Sequence, residues 1–175
     1  MAEQNLRTAL TAEQLRAALI YDPETGVFTW RRRADVSKTW NTRYAGKQAG
    51  SPGGGGYIVI GFNYFIYGAH RLAWLWMNGE WPPNGEVDHI DTDGTNNIWT
   101  NLRDATHRQN GRNRGIGPNN TSGFKGVSRH GARWRAYIAV NYQRRHLGTF
   151  DTKEEAREAY ITAAERLHGE FAHLG

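Results

Sequence analysis

The chain has 175 residues, enough for one ordinary domain or two small ones, and at 38% hydrophobic with seven tryptophans it can build a packed core. It contains no cysteine, which excludes disulfide frameworks and thiolate-held zinc or iron–sulfur sites and fits a reducing cytosol. The formal charge is +5, no apolar run approaches the ~18 residues of a membrane span, and the N-terminus lacks a signal-type apolar core, so a soluble protein with an anionic partner is expected.

In chain order, Thr11 and Gln14 form a capping box that opens a helix running to about Tyr21. "DPETG" is a turn, and "VFTWR" a strand leading into the triplet Arg31–Arg33. "SPGGGG" is a flexible punctuator, followed by strands "YIVI" and "YFIY" around "GFN", a hairpin. "AHRLAWLWMNG" reads as a helix burying Leu72, Ala73, Leu75 and Trp76 and stopping at Gly79. "EVDHI" is a short strand, residues 90–100 a loop, and 101–103 a returning strand. Thr106 and Gln109 then cap a short helix whose second turn holds Asn110.

Residues 113–121 have linker composition, rich in Gly, Asn and Arg. Beyond them "FKGVSR", "RWRAYIAV" and "RRHLGTF" read as three strands. "DTKEEAREAYITAAERLHGE" reads as a helix, with a Thr152/Glu155 capping box and a stop at Gly169. Four of its six inward positions are alanine, so it can lie close to the sheet. The fold class is α+β, with domains at 1–112 and 122–175.

Charge is distributed unevenly along this plan. Residues 1–110 carry 11 basic and 11 acidic side chains, whereas 121–150 carry six basic and none acidic, and 151–175 carry three basic against six acidic. Such a basic block points to nucleic acid, against the plain alternative of a solvated surface whose charges segregated by chance. In "RWRAYIAV", Arg133, Arg135 and Tyr137 alternate with Trp134, Ala136, Ile138 and Val140; in "RRHLGTF", Arg144 and His146 share a face. One face is basic and aromatic, the other apolar and ready for the helix. Such a sheet can lie in a DNA major groove.

The segment "DHIDTDGTNNIWTNLRDATHRQN" (88–110) sets His89, Asn101 and Asn110 on a β-hairpin and the helix after it, where the three can converge. A calcium loop counted back from Gly94 would put His89 at the first ligand position and Thr100 at the twelfth, where a bidentate glutamate is required. A structural zinc site has only His89 and His107 nearby and no thiolate. A merely structural Asp–His pair stays open on the residues alone.

The spacing, His89 then Asn101 twelve residues on and Asn110 nine further, resembles the His-Asn-His/Asn (HNH) endonuclease motif, together with "HRLAW", "EWPPNGEVDHID" and "NLRDAT" around it. The resemblance covers residues 60–112, with weaker similarity back to "YDPETGVFTW", and has the look of phage-encoded homing-type members. It implies a ββα-metal nuclease domain with its core motif at 86–112. It implies further that His89 is the general base, that Asp88 and Asn110 are ligands of one divalent cation, Mg²⁺ or Mn²⁺, and that Asn101 supports the motif. The third letter is Asn110 where the family often has His, and His107 is a competitor one turn earlier. Arg103, Arg108 and Arg112 read equally as phosphate contacts or solvated arginines.

Residues 122–174, through "GFKGVSR", "RWRAYI", "HLGTFDTKEEAREAY" and "AAERLHGEFAHL", resemble the DNA-binding domain of plant ethylene-response factors, the Apetala-two class. That resemblance implies a three-stranded antiparallel sheet packed on one helix. It implies that Lys125, Arg129, Arg133, Arg135, Tyr137, Arg144 and His146 face DNA; the turn after the first strand is shorter here than in the plant domains, which leaves the register of Arg129 open.

The two halves together predict a metal-dependent DNA endonuclease of homing or mobile-element type, monomeric, acting on double-stranded DNA in the cytoplasm of a phage-infected host. The alternatives are a catalytically inactive DNA-binding regulator, which intact Asp88, His89 and Asn110 argue against, and a structure-specific junction or RNA nuclease, whose cleavage would ignore sequence.

Overall fold

Thr11 starts the first helix as its composition predicts: its hydroxyl accepts from the Gln14 N–H at 3.2 Å, and Gln14 Oε1 accepts from the Thr11 N–H at 3.1 Å. In the computed structural model, which describes residues 10–113, 115–117 and 119–174, helix α1 spans Ala12–Ala18. Arg114 and Pro118 of the expected linker lie outside the described residues. The helix stops three residues short of Tyr21 because strand β1 (Leu19–Tyr21) pairs antiparallel with β2 (Phe28–Trp30). Pairing buries Leu19 and Tyr21 on one face and turns Ile20 outward, a period of two that helical propensity cannot supply.

The chain forms two compact units, Met1–His107 and Arg108–Gly175. In the first, a helix missing from the sequence reading, α2 (Lys38–Tyr44), precedes β3 (Gln48–Ala49), which completes a sheet of order β1-β2-β3. The "SPGGGG" segment is not wholly punctuation: β4 (Ser51–Pro52) opens a second sheet, ordered β4-β5-β6 with β5 (Ile58–Phe62) and β6 (Phe65–Gly68). Its hairpin turns at Asn63 and Tyr64, with φ of 48° and 67°, and not at "GFN", since Gly61 and Phe62 remain in the ladder. Helix α3 (Ala69–Asn78) packs Ala69, Leu72, Ala73 and Leu75 into the core, and Gly79 ends it at φ 84°. The core joins Leu15, Leu19, Phe28, Ile60, Leu72 and Leu75 with Val87 and Leu102 of the hairpin β7 (Glu86–His89) and β8 (Leu102–Ala105). Helix α4 (His107–Asn113) follows directly.

The second unit is a sheet of order β9-β10-β11, from Val127–His130, Arg133–Val140 and Gln143–Phe150, covered by α5 (Lys153–His168). Thr152 and Glu155 make the expected capping box. Ala156, Ala163 and Ala164 are buried against Val127, Ala136 and Ile138, so the small side chains let helix and sheet approach closely. The first strand begins at Val127, three residues later than "FKGVSR" suggests. Gly126, at φ +72°, instead turns the chain and accepts from the Tyr137 N–H at 2.8 Å, beside a register shift between Ala136 and Tyr137. A Cβ there would lie 2.3 Å from the Tyr160 ring and 2.4 Å from the Tyr137 carbonyl. Gly126→Ala is therefore expected to destabilise this unit by about 3 kcal/mol, read as lost hydrogen-exchange protection in α5 and β10.

Candidate active site

Strand β7 is buried on both faces: Asp88 and His89 are each only 4% exposed although they point to opposite sides. Asp88 sits opposite Arg103 of β8, whose Nε donates to Asp88 Oδ2 at 2.9 Å and whose Nη2 lies 2.8 Å from the same oxygen. Arg103 is thus a carboxylate partner, which settles its ambiguity toward neither phosphate contact nor solvated side chain.

On the other face, His89 enters a small cluster of rings. Its imidazole lies edge-on to His70 with centroids 5.0 Å apart, and Tyr57 is 5.2 Å from His70 and 5.8 Å from His89. Burial first, then the neighbouring His89 and Arg71, push the His70 imidazole down to about 3, so it is neutral at physiological pH. His89 Nε2 meets Asn97 Oδ1 at 3.2 Å. The amide's orientation is fixed because Asn97 Nδ2 donates to the Thr95 carbonyl at 3.1 Å, so its oxygen must face the histidine. Against that oxygen the His89 Nε2 is the donor.

Asn97 is itself held from the N-terminal hairpin. The Tyr21 hydroxyl donates to the Asn97 carbonyl at 2.7 Å, and the Trp99 N–H donates to the Pro23 carbonyl at 2.9 Å. At Gly26, φ +71°, a Cβ would lie 2.4 Å from the Asn97 carbonyl carbon, so only glycine lets this turn approach.

Asn101 closes the loop between the strands. Its Nδ2 donates to Asp91 Oδ1 at 2.9 Å and to the Asn96 carbonyl at 2.8 Å, and its Oδ1 accepts from the Asp91 N–H at 3.1 Å. The Asp91 carboxyl is partly buried, which works to raise it, yet the hydrogen bonds from Asn101, the Asp93 N–H and Asn96 hold it below its ordinary value. Asn110 lies on α4, in the second unit. His107 Nδ1 is 2.7 Å from Glu86 Oε1, which gives that histidine a carboxylate partner of its own.

Among the described residues no group of three or more His, Asp or Glu side chains is gathered to hold a metal. A carboxylate and a carboxamide are nevertheless hard oxygen donors. Two of them suit an ion that keeps several waters and takes its remaining oxygens from a substrate phosphate. Asp88 and Asn110 each carry an oxygen donor of this hard kind, which suits Mg²⁺ better than zinc.

In the second unit, paired residues share a face, and the register places Arg133 opposite His130, Arg135 opposite Ser128 and Tyr137 opposite His146. Arg144 stacks over Tyr137 at 3.9 Å, and Tyr137 and His146 have centroids 5.1 Å apart. Arg133, Arg135, Tyr137, Arg144 and His146 thus share the face away from α5. Two residues sit elsewhere. Arg129 pairs with Trp134 and lies over its indole at 5.6 Å, on the apolar side, because the register puts His130 on the outer face instead. Lys125 is half-buried, donates to the Arg112 carbonyl at 2.7 Å, and is pushed down to about 8 by burial. Asn97, His70, Tyr57 and His130 all escaped sequence reasoning, since a loop asparagine or a helical histidine has no spacing that announces it.

The HNH endonuclease profile matches residues 67–112, and the AP2 domain profile matches residues 122–170. The chain is 34% identical over 107 residues to "Protein 3.8" of Escherichia phage T7, covering 60% of this chain and 88% of that one. It is 35% identical over 104 residues to "Uncharacterized HNH endonuclease L560" of Acanthamoeba polyphaga mimivirus, covering 59% of this chain and 54% of that one. "Ethylene-responsive transcription factor ERF084" of Arabidopsis thaliana is 54% identical over 55 residues, 30% of this chain and 22% of that one. No solved structure matches the chain. With its histidine strand, closed loop and following sheet-and-helix module all in the matched segments, the chain belongs to the HNH endonuclease family and carries an AP2 domain after its HNH domain.

Proposed function

We propose that the protein is a metal-dependent endonuclease of homing or mobile-element type that hydrolyses phosphodiester bonds in double-stranded DNA, read through its AP2 domain. HNH nucleases generally use a divalent metal ion, and nuclease and AP2 domains indicate DNA binding. The observation that carries the reading is His89, buried at the end of β7 with its Nε2–H directed at Asn97 and Asp88 beside it. In the reaction, His89 Nδ1 takes a proton from water, the water oxygen attacks phosphorus, and the bond to the 3′ oxygen breaks, that oxygen taking a proton from solvent to leave as a hydroxyl. Asp88 and Asn110 would hold one cation, Mg²⁺ or Mn²⁺, which when bound supplies positive charge at the scissile phosphate. Asn101 supports the loop through Asp91 and Asn96. Arg133, Arg135, Tyr137, Arg144 and His146 face the duplex. The protein acts as a monomer in the host cytoplasm of a phage; among its described residues no helix is long and apolar enough to cross a membrane.

Supercoiled plasmid carrying the target site tests this directly. Conversion to open-circle or linear DNA with Mg²⁺, abolished by EDTA and by Asp88→Ala, is the expected result. No conversion beside a tight, salt-sensitive gel shift would replace the nuclease reading with that of a DNA-binding regulator. The Arg103 salt bridge on Asp88 favours that second reading, because it already neutralises the carboxylate.

A further inference from the structure

Helix α2 has no buried residue, and seven residues are too few for a helix to persist in water on propensity alone. It is held by its neighbours. Ser37 caps it, accepting from the Trp40 N–H at 3.1 Å, and Asn41 and Arg33 exchange two bonds, Arg33 N–H to Asn41 Oδ1 at 2.9 Å and Asn41 Nδ2 to the Arg33 carbonyl at 2.7 Å. Trp40 packs edge-on against Trp30 at 5.1 Å, and the Arg33 guanidinium lies 5.6 Å from the Trp40 ring and 5.3 Å from Phe62. A segment fixed this firmly without contributing to the core must be explained by what it presents.

It presents cations. Arg31, Arg32, Lys38, Arg43 and Lys47 are all exposed. Between Glu24 and Glu80 the only acidic residue is Asp35, and that carboxylate is taken by Arg33. Among the described residues none of the five has a carboxylate partner. The even balance of residues 1–110 therefore averages over a strongly basic stretch. An open groove of about 650 Å³ is lined by Trp30, Arg31, Arg32, Asn41, Ala45 and Gly46. Tyr44, 38% exposed, stands at the far end of the same helix with Arg43 over its ring at 5.9 Å.

We propose that α2 and its flanks form a second nucleic-acid contact, separate from the AP2 sheet, in which Arg31, Arg32, Lys38, Arg43 and Lys47 hold the phosphate backbone of the duplex beside the nuclease domain. Exposed cations set among aromatic rings suit a phosphate chain, whose charge repeats along the duplex whatever the sequence. The partner rests on the reading of this protein as a DNA nuclease; the patch itself rests on charge and geometry.

The test measures binding and not cleavage, so that it survives a failure of catalysis. Full-length protein carrying His89→Ala is titrated with a fluorescent duplex over a range of salt, alongside the same protein with Arg32→Gln, Lys38→Gln, Arg43→Gln and Lys47→Gln. The expected result is a slope of log Kd against log salt lower by about 3, and an affinity at ~0.1 M salt weaker by about tenfold or more, equally for every duplex sequence. Replacing the two glutamines by lysine, as Arg32→Lys and Arg43→Lys, should recover part of the slope, because the charge returns without the arginine. Coincident salt lines for the two proteins would overturn the proposal, and so would a loss confined to one sequence, which would make these residues base readers. If the starting protein itself bound no DNA, it would be the nuclease reading that fell.

Discussion

Cleavage by the His89→Ala variant is expected to fall by about 10²–10⁴-fold, with DNA binding unchanged. The separation follows from where the histidine sits. It is 4% exposed, too deep to anchor DNA, and its ring touches His70, Tyr57 and Asn97. Alanine removes the base and also leaves a buried Asn97 oxygen without its donor, which costs about 1–3 kcal/mol of stability. His89→Gln distinguishes the two effects: its amide N–H can still reach Asn97, yet it has no nitrogen that takes up a proton near neutral pH. Equal loss of rate in the glutamine variant, whose stability should lie nearer the parent's, assigns the effect to proton transfer. A glutamine variant that cleaved at the parental rate would remove His89 from the chemistry.

The histidine strand was legible because Asp88 and His89 lie in an unbroken motif, and the AP2 half because its apolar and alanine positions recur at strict helical and strand periods. What escaped notice was set by long-range pairing. Leu19–Tyr21 continue a helical pattern until β2 takes them into a sheet. Helix α2 has no apolar stripe, since it buries nothing, so periodicity could not find it. Arg129 and His130 are adjacent, and which of them faces outward depends on a register fixed by the turn at Gly126, one residue of slip exchanging the two. Asn97 matters only because Gly26 and Tyr21, each more than seventy residues before it in sequence, hold it against His89. No local window contains that relation.

Asn97→Leu is expected to lower the cleavage rate by about 10–100-fold, the usual consequence of removing the partner that orients a functional histidine. Leucine fills the same space but accepts nothing from Nε2–H, so the imidazole loses both its preferred tautomer and its tilt. A larger share of the molecules would then present an N–H where a lone pair is needed. Asn97→Asp retains an oxygen at the same point and should recover most of the rate. Gly26→Ala reaches the same end indirectly, because its Cβ must displace the Asn97 backbone from 2.4 Å. The deciding measurement is the ¹⁵N shift of the two His89 ring nitrogens in parent and variants. Protonation of Nε2 in the parent and in Asn97→Asp, with mixed tautomers in Asn97→Leu and Gly26→Ala, ties the rate to the hydrogen bond. An Asn97→Leu protein that cleaves normally and keeps the Nε2–H tautomer would leave the ring cluster of Tyr57 and His70 as the sole device that orients the base.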